Sequence, residues 1–271
     1  MILDVVGKTD IGRVRKNNED NFCIDKDLGL LIVADGVGGM PTGETASKIA
    51  VEVIRQQLKT AILENKEIFF NEFKYNNKLS EKTNKLAASI NLANRVIFEL
   101  SQKYPQNRGM ATTCVACLID ERKIYYCNVG DSRLYLIYNN EIKQLTEDHS
   151  LVMEQVRKGL ITIEQAEKSE YKNIITRALG NEPDIEIDMN EMELNNDVYF
   201  LLCTDGLTGM VDNDIILKTF IELKKPADIC NQLFYLANEN GGRDNITVII
   251  ANIKGVKPKN IFNKMWEIVK K

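Results

Sequence analysis

The sequence predicts an α+β layered domain built on largely antiparallel sheets. Two observations carry this. Apolar runs of strand length come in clusters and helical patterns come in pairs, where a doubly wound parallel sheet would alternate them. No Pro/Gly/Ser-rich linker or fixed-period repeat divides the 271 residues, and prolines number only five, so one domain with a short tail is expected. In chain order, strands are predicted at 22–25 and 29–34. Ala46, Ile49, Ala50, Val53, Ile54, Leu58 and Ala61 then recur at helical spacing, as do Leu86, Ile90, Ala93, Ile97 and Leu100, two core-facing stripes fit to cover a sheet. Strands follow at 112–119, 123–129 and 133–138. A helical region covers 150–158 and 162–168, the second part opened by Thr162-Ile163-Glu164-Gln165 at capping-box spacing. A strand at 198–203, helices at 212–223 and 226–239, the latter stopped by Gly241-Gly242, and a strand at 246–253 complete the domain. In the tail, Ile261, Phe262, Met265, Trp266 and Val269 make a small amphipathic helix pattern expected to dock on the domain.

Composition narrows the function. Acidic residues outnumber basic ones, 39 to 35, which disfavours nucleic-acid binding. No apolar run approaches the ~20 residues needed to span a bilayer, and the start, Met1-Ile2-Leu3-Asp4, shows no signal peptide. A cytoplasmic protein with reduced, mostly buried cysteines is expected. Cys114 and Cys117 form a CxxC, but in a strand residues i and i+3 face opposite sides, so the sulfurs should diverge. No second CxxC and no nearby His completes a zinc set.

The informative feature is the position of the aspartates. Leu30–Ala34 runs into Asp35-Gly36, Val198–Thr204 into Asp205-Gly206, and Ile124–Gly130 into Asp131-Ser132, while Asp244-Asn245 precedes Ile246–Asn252. Asn17-Asn18-Glu19-Asp20 precedes the strand at 22. Taken singly, each is an ordinary turn former. If these strand ends meet at one edge, their like charges need a compensating cation. All the donors are hard oxygens, which selects Mg²⁺ or Mn²⁺ over zinc or copper. Gly36 lets the backbone approach closely, so its carbonyl can join the ligands. Two such ions lower the pKa of a bridging water and clamp phosphate oxygens. Arg13 or Arg15 is a candidate phosphate reader, because a guanidinium donates bidentately. The single His149, in Glu147-Asp148-His149-Ser150, reads as a helix N-terminal feature and leaves no Ser-His-Asp hydrolase in view. Gly36-Val37-Gly38-Gly39 lacks the Lys of a phosphate-binding loop.

Taken together and in order, these stretches resemble the metal-dependent serine/threonine protein phosphatases of the 2C type, in their bacterial form. The matching segments are Thr9-Asp10-Ile11-Gly12 with Arg15-Lys16-Asn17-Asn18-Glu19-Asp20, then Val33-Ala34-Asp35-Gly36-Val37-Gly38-Gly39 and Gly109-Met110-Ala111-Thr112-Thr113. Asn128-Val129-Gly130-Asp131-Ser132-Arg133, Glu147-Asp148-His149-Ser150 and Thr176-Arg177-Ala178-Leu179-Gly180 follow. Cys203-Thr204-Asp205-Gly206-Leu207 and Gly242-Arg243-Asp244-Asn245-Ile246-Thr247 close the series.

The resemblance implies a β-sandwich of two mainly antiparallel sheets flanked by antiparallel helix pairs, with a catalytic domain over 1–253, a flap at about 148–180, and a tail at 254–271. It implies that Asp35 bridges two Mn²⁺ or Mg²⁺ ions, that the Gly36 carbonyl binds the second, and that Asp205 and Asp244 bind the first. Glu19 and Asp20 would hold metal-bound waters, and Asp131 would serve a weak third ion. Arg15 matches the phosphate-binding Arg better than Arg13 does. The implied reaction is attack by a metal-bound hydroxide on phosphoserine or phosphothreonine in proteins, opposing a serine/threonine kinase, by a monomer. Two departures stand out. Val37 occupies the place where members from higher organisms carry a His general acid, and Ser169-Glu170 occupies that of a His-Pro pair in the flap. Two rivals are a catalytically silent phosphoprotein-binding module and a hydrolase of small phosphate esters. Loss of Asp35, Asp205 or Asp244 would mark the first, and all three are present.

Overall fold

The computed structural model describes residues 2–39, 42–63 and 73–256. Four strands, β1 (Ile2–Asp10), β2 (Asn21–Asp25), β3 (Leu30–Ala34) and β4 (Gly36–Val37), precede the long helices α1 (Thr42–Leu63) and α2 (Glu81–Lys103). Five more follow: β5 (Ala111–Thr112), β6 (Cys114–Asp120), β7 (Lys123–Val129), β8 (Arg133–Tyr138) and β9 (Glu141–Gln144). After the short helices α3 (Leu151–Arg157) and α4 (Ile163–Glu167) come β10 (Asp188–Glu193) and β11 (Val198–Cys203). Helices α5 (Asp205–Thr208), α6 (Asn213–Glu222) and α7 (Pro226–Glu239) lead to β12 (Ile246–Lys254).

Two five-stranded sheets, ordered β1-β12-β11-β8-β9 and β10-β7-β6-β3-β2, pack face to face, and β4 pairs with β5 in a small ribbon. Every named strand pair is antiparallel. The period-2 alternation of strands divides the apolar residues among three layers. Leu30, Ile32 and Ala34 of β3 face α1 and α2, whereas Leu31 and Val33 enter the space between the sheets. In β12, Ile249, Ala251 and Ile253 enter that space, while Val248 and Ile250 face α6 and α7. The CxxC obeys the same rule: Cys114 lies on the helix side of its sheet and Cys117 between the sheets, so the sulfurs do diverge. All six cysteines are free thiols.

The predicted fold class and the predicted helix pairs hold. Ser150, Thr162 and Asp212 cap α3, α4 and α6, with the expected capping box at Thr162. Four strands and one helix escape sequence reasoning. Strand β10, Asp188-Met189-Asn190-Glu191-Met192-Glu193, is a polar edge strand with no apolar run. Its Glu191 Oε2 instead accepts from Ser80 N at 3.0 Å and Thr83 Oγ1 at 2.7 Å, tying the start of α2 to the sheet. β1 is an edge strand with one buried residue, β9 is short, β4 has two residues, and α5 is a single turn at Asp205-Gly206. The predicted strand 112–119 is two strands, because Thr113 turns its N–H and hydroxyl to Asp35. The amphipathic pattern at 258–271 lies outside the described residues.

Phe200 on β11 is fully buried between the sheets. Phe200→Ala should cost about 3–5 kcal/mol in urea unfolding. A loss under about 1 kcal/mol would mean that the two sheets do not depend on this contact.

Candidate metal centre

Antiparallel registers bring the predicted carboxylates to one end of the sandwich. Ala34, before Asp35, lies opposite Asn21, after Asp20. Cys203, two residues before Asp205, lies opposite Arg133 on one side and Val248 on the other, two residues from Asp131 and four from Asp244 respectively. Val129 ends β7 opposite Cys114, the first residue of β6. Asp35, Asp131 and Asp205 therefore project from strand tips, while Glu19-Asp20 and Asp244 precede strands entering from that same end. All six predicted carboxylates are brought together, and Asp35 feels the charges of Asp20, Asp205, Asp131 and Asp244. Asp35 and Asp205 are close enough to hydrogen-bond carboxyl to carboxyl, which demands a shared proton or a cation.

The surroundings grip the backbone of these residues and leave carboxylate oxygens bare. Asp35 N donates to Thr113 Oγ1 at 3.0 Å, and Asp35 O accepts from Thr113 N at 2.8 Å. Glu19 N donates to Asn245 Oδ1 at 2.8 Å, and Glu19 O accepts from Ser47 Oγ at 2.6 Å and Gly36 N at 3.2 Å. Asp20 Oδ2 accepts from Thr204 Oγ1 at 2.9 Å and Thr247 Oγ1 at 2.7 Å. By contrast, Asp20 Oδ1, Asp131 Oδ1 and Asp205 Oδ1 are buried without any hydrogen-bond partner. Such orphaned acceptors are rare in folded proteins. Glycines permit the close packing: a Cβ on Gly36 would meet Gly43 O at 2.2 Å, and one on Gly206 would meet Asn245 O at 1.9 Å.

Electrostatics points the same way. Burial pushes Asp20 and Asp131 up to about 7, with the Asp205 charge adding in both cases. Burial and then Asp20, Asp205, Asp131 and Asp244 push Asp35 well above the usual carboxylate range. Burial and Asp244 raise Asp205. Soft donors are absent from the cluster: the Cys203 thiol, buried beneath it, is pushed up to about 12 by burial and stays neutral. Orphaned hard oxygens and mutual repulsion fit a hard divalent cation such as Mg²⁺ or Mn²⁺. Among the described residues, no group of three or more His, Cys, Asp or Glu side chains is set to hold an ion by itself. Ligation at this edge therefore needs other oxygens too, such as the Gly36 carbonyl or water.

The two candidate arginines separate cleanly. Arg13 turns away, pairing with Glu239 at 2.5 Å. Arg15 reaches over the cluster, with Nη2 donating to Asp244 Oδ2 at 2.7 Å and with Asp35 and Glu19 also raising its pKa. The loop that carries both is held by Arg13 N donating to Gly242 O at 2.7 Å, and Gly12, at φ +77°, presses on Asp244 O where a Cβ would lie 2.2 Å away. His149 lies one strand tip away, buried beside Gly130. Sequence reasoning missed Thr113, Thr204, Asn245 and Thr247, which hold the carboxylates. Each follows or precedes a singled-out Asp or interrupts an apolar run with a hydroxyl, a signal that the strand pattern alone treats as neutral.

Residues 12–236 match the family model for protein phosphatase 2C. The serine/threonine phosphatase stp of Listeria welshimeri is 39% identical over 252 residues, covering 90% of this chain and 93% of that protein. The crystal structure of the serine/threonine phosphatase Stp1 from Staphylococcus aureus aligns with a TM-score of 0.81 at 33% identity, over 94% of this chain and 96% of that one. The catalytic domain of the serine/threonine protein phosphatase PstP, in complex with two manganese ions, aligns with a TM-score of 0.76 at 30% identity, over 92% and 97% of the two chains.

A carboxylate whose folded pKa is raised stabilises the fold when protonated. That contribution is complete below the unfolded value of 3.8 and is lost as pH rises through about 7 for Asp20 and Asp131. Glu191, held low at about 2, responds in the opposite sense but is finished by about pH 5. Between about pH 5 and about pH 8, the Tm of chelator-treated protein should therefore fall relative to that of protein with Mn²⁺. At a hundredfold excess over Kd, each ion should restore about 2.7 kcal/mol. A Tm gap that stays constant across this range in scanning calorimetry would contradict the electrostatic account.

Proposed function

Because this chain belongs to the protein phosphatase 2C family and is a protein-serine/threonine phosphatase, we propose that it hydrolyses phosphoserine and phosphothreonine in proteins at a binuclear Mn²⁺ or Mg²⁺ centre built on its carboxylate edge. The observation that carries this reading is the set of three buried carboxylate oxygens, on Asp20, Asp131 and Asp205, left without donors around Asp35. Asp35 would bridge the two ions, the Gly36 carbonyl would join the second, and Asp205 and Asp244 would hold the first. Glu19 and Asp20 would orient their waters, and Asp131 would serve a weaker third ion. When bound, the ions supply an acidified water as nucleophile and neutralise phosphoryl oxygens.

The chain's own groups do the positioning. Arg15 is exposed and engaged only through Nη2 in its ion pair with Asp244. Its remaining N–H groups suit the fork geometry of a phosphate dianion, and its charge opposes the negative field that would repel one. Thr204 and Thr247 both donate to Asp20 Oδ2, which leaves Oδ1 as the oxygen that would accept a hydrogen bond from water. Val37 has no ionisable group, so it would not serve as general acid, and the leaving alkoxide would take its proton from water at the centre.

The catalytic domain would span 1–253, with a flap at about 148–180 and a tail at 254–271. Support for the flap comes from the exposed Leu160, Ile163, Tyr171 and Ile174, an apolar surface suited to protein substrates. The protein would act as a cytoplasmic monomer on phosphorylated proteins, against a cognate serine/threonine kinase. No described helix is long and apolar enough to cross a membrane.

Release of phosphate from a phosphothreonine peptide, before and after chelation and metal readdition, tests the reading directly. Asp35→Ala should abolish turnover. A folded variant that kept more than about a tenth of wild-type activity under saturating Mn²⁺, a barrier change below ~1.4 kcal/mol, would remove Asp35 from the bridging role. Arg15→Ala should weaken binding of phosphopeptide and inorganic phosphate while leaving metal affinity in calorimetry nearly unchanged, and Arg15→Lys should recover only part of the loss. The same defect from Arg13→Ala, with none from Arg15→Ala, would reverse the assignment.

A further inference from the structure

His149 is the only histidine in the chain, and it is 5% exposed. None of the roles above uses it. Its main chain already joins two segments: His149 N donates to Gly130 O at 2.9 Å, and His149 O accepts from Thr176 N at 2.8 Å. Its ring repeats the connection. Gly130 N donates to His149 Nδ1 at 3.1 Å. An amide N–H can only donate, so Nδ1 carries no proton and the neutral ring is the Nε2–H tautomer.

That tautomer dictates the other side of the ring. Nε2 lies 3.3 Å from Asp188 Oδ2 and 3.4 Å from Arg177 Nη1. A guanidinium has no acceptor, so the Nε2 proton goes to Asp188, and Arg177 supports Asp188 through its own contact with Oδ1 at 3.3 Å. A line of hydrogen bonds thus runs from Asp188 through the imidazole to the backbone of Gly130, the residue before Asp131. Gly130 has little freedom to answer in any other way. It sits at φ +101°, and a Cβ there would lie 2.6 Å from Thr113 Cγ2. Next along, Ser132 Oγ meets Thr113 Oγ1 at 2.7 Å, and Thr113 holds Asp35.

We infer that His149 is a positioning residue. Its unprotonated Nδ1 sets the Gly130–Asp131 strand tip, and so holds the Asp131 carboxylate at the rim of the metal cluster, while its Nε2–H anchors that tip to the 176–188 segment through Asp188. The inference rests on the assignment of Asp131 as a ligand of a weak ion. His149 touches no reacting atom; it acts through Gly130. Its removal should weaken the rim ion and lower kcat, with little change in KM and none in the tight ions. Asn places an amide oxygen where Nδ1 stands, so Asn should restore the acceptor and Phe, which fills the volume, should not.

The test combines Mn²⁺ titration by calorimetry, without substrate, with steady-state kinetics and thermal unfolding for His149→Asn, His149→Phe and Asp131→Ala. In the titration, His149→Phe should lose the weak site at least tenfold and His149→Asn should stay within about threefold of wild type, with kcat following the same order. Equal losses in the Asn and Phe variants, or loss of a tight ion, would overturn the inference and leave His149 as packing. If Asp131→Ala retains the weak ion, the assignment of Asp131 fails. If Asp131→Ala loses it and His149→Phe keeps it, the role of His149 fails. Should the variants not fold, ¹⁵N-histidine NMR of the wild-type protein gives a single imidazole to read: a protonated Nδ1 at neutral pH overturns the inference, and an unprotonated Nδ1 coupled to the Gly130 amide supports it.

Discussion

Like charges confined at one end of two sheets are the constraint on which the rest of this structure depends. Asp20, Asp35, Asp131, Asp205 and Asp244 sit close enough for Asp35 to feel all the others, and burial denies Asp20 and Asp131 the water that would screen them. Left to itself such a cluster would push the strand tips apart. What resists is the backbone. Three of the strands that deliver the carboxylates are buried almost throughout: β3 at every residue, and β11 and β12 at all but one each. Their three-layered apolar core supplies the rigidity, and the polar edge concentrates the strain.

The contacts around the cluster divide the work in a consistent way. Donors go to the backbone carbonyls of Glu19 and Asp35 and to one oxygen of Asp20. The carboxylate oxygens that face the cluster are left bare. A site meant only to neutralise its acids would surround them with donors or lysines. This one restrains position and withholds compensation, which is the arrangement a bound cation needs if it is to be held by charge and still keep open coordination positions for water and phosphate. Neutral buried thiols nearby, and a histidine committed to Gly130 and Asp188, keep soft ligands out of the donor set.

The region after β9 is coupled to this edge at two levels. Arg133 and Asp148 form a fork of hydrogen bonds, from Nη2 at 2.6 Å and Nε at 2.9 and 3.0 Å, beside the Asp131 tip. The chain at 149–151 then pairs with 174–176 through backbone hydrogen bonds. The base of the 148–180 segment is thus continuous with the carboxylate edge, while its outer part presents exposed apolar side chains.

Much of this was legible in the sequence. The apolar runs ending in Asp-Gly and Asp-Ser marked both the strands and the ends where the carboxylates gather, because a buried strand needs a continuous apolar pattern and these acids stand where that pattern stops. Helical stripes and capping residues placed the helix pairs to within a few residues. Tertiary structure alone decided three things. It decided that five separate turns share one edge, since register and sheet order are set by contacts between residues more than two hundred positions apart, as between Asp10 and Ile246. It set which carboxylate each of the two arginines meets, Asp244 for Arg15 and Glu239 for Arg13, a pairing that two arginines two residues apart do not declare in the sequence. And it gave Thr113, Thr204, Thr247 and His149 their tasks, because a hydroxyl or an imidazole carries no mark of its partner until folding brings a particular donor or acceptor within about 3 Å.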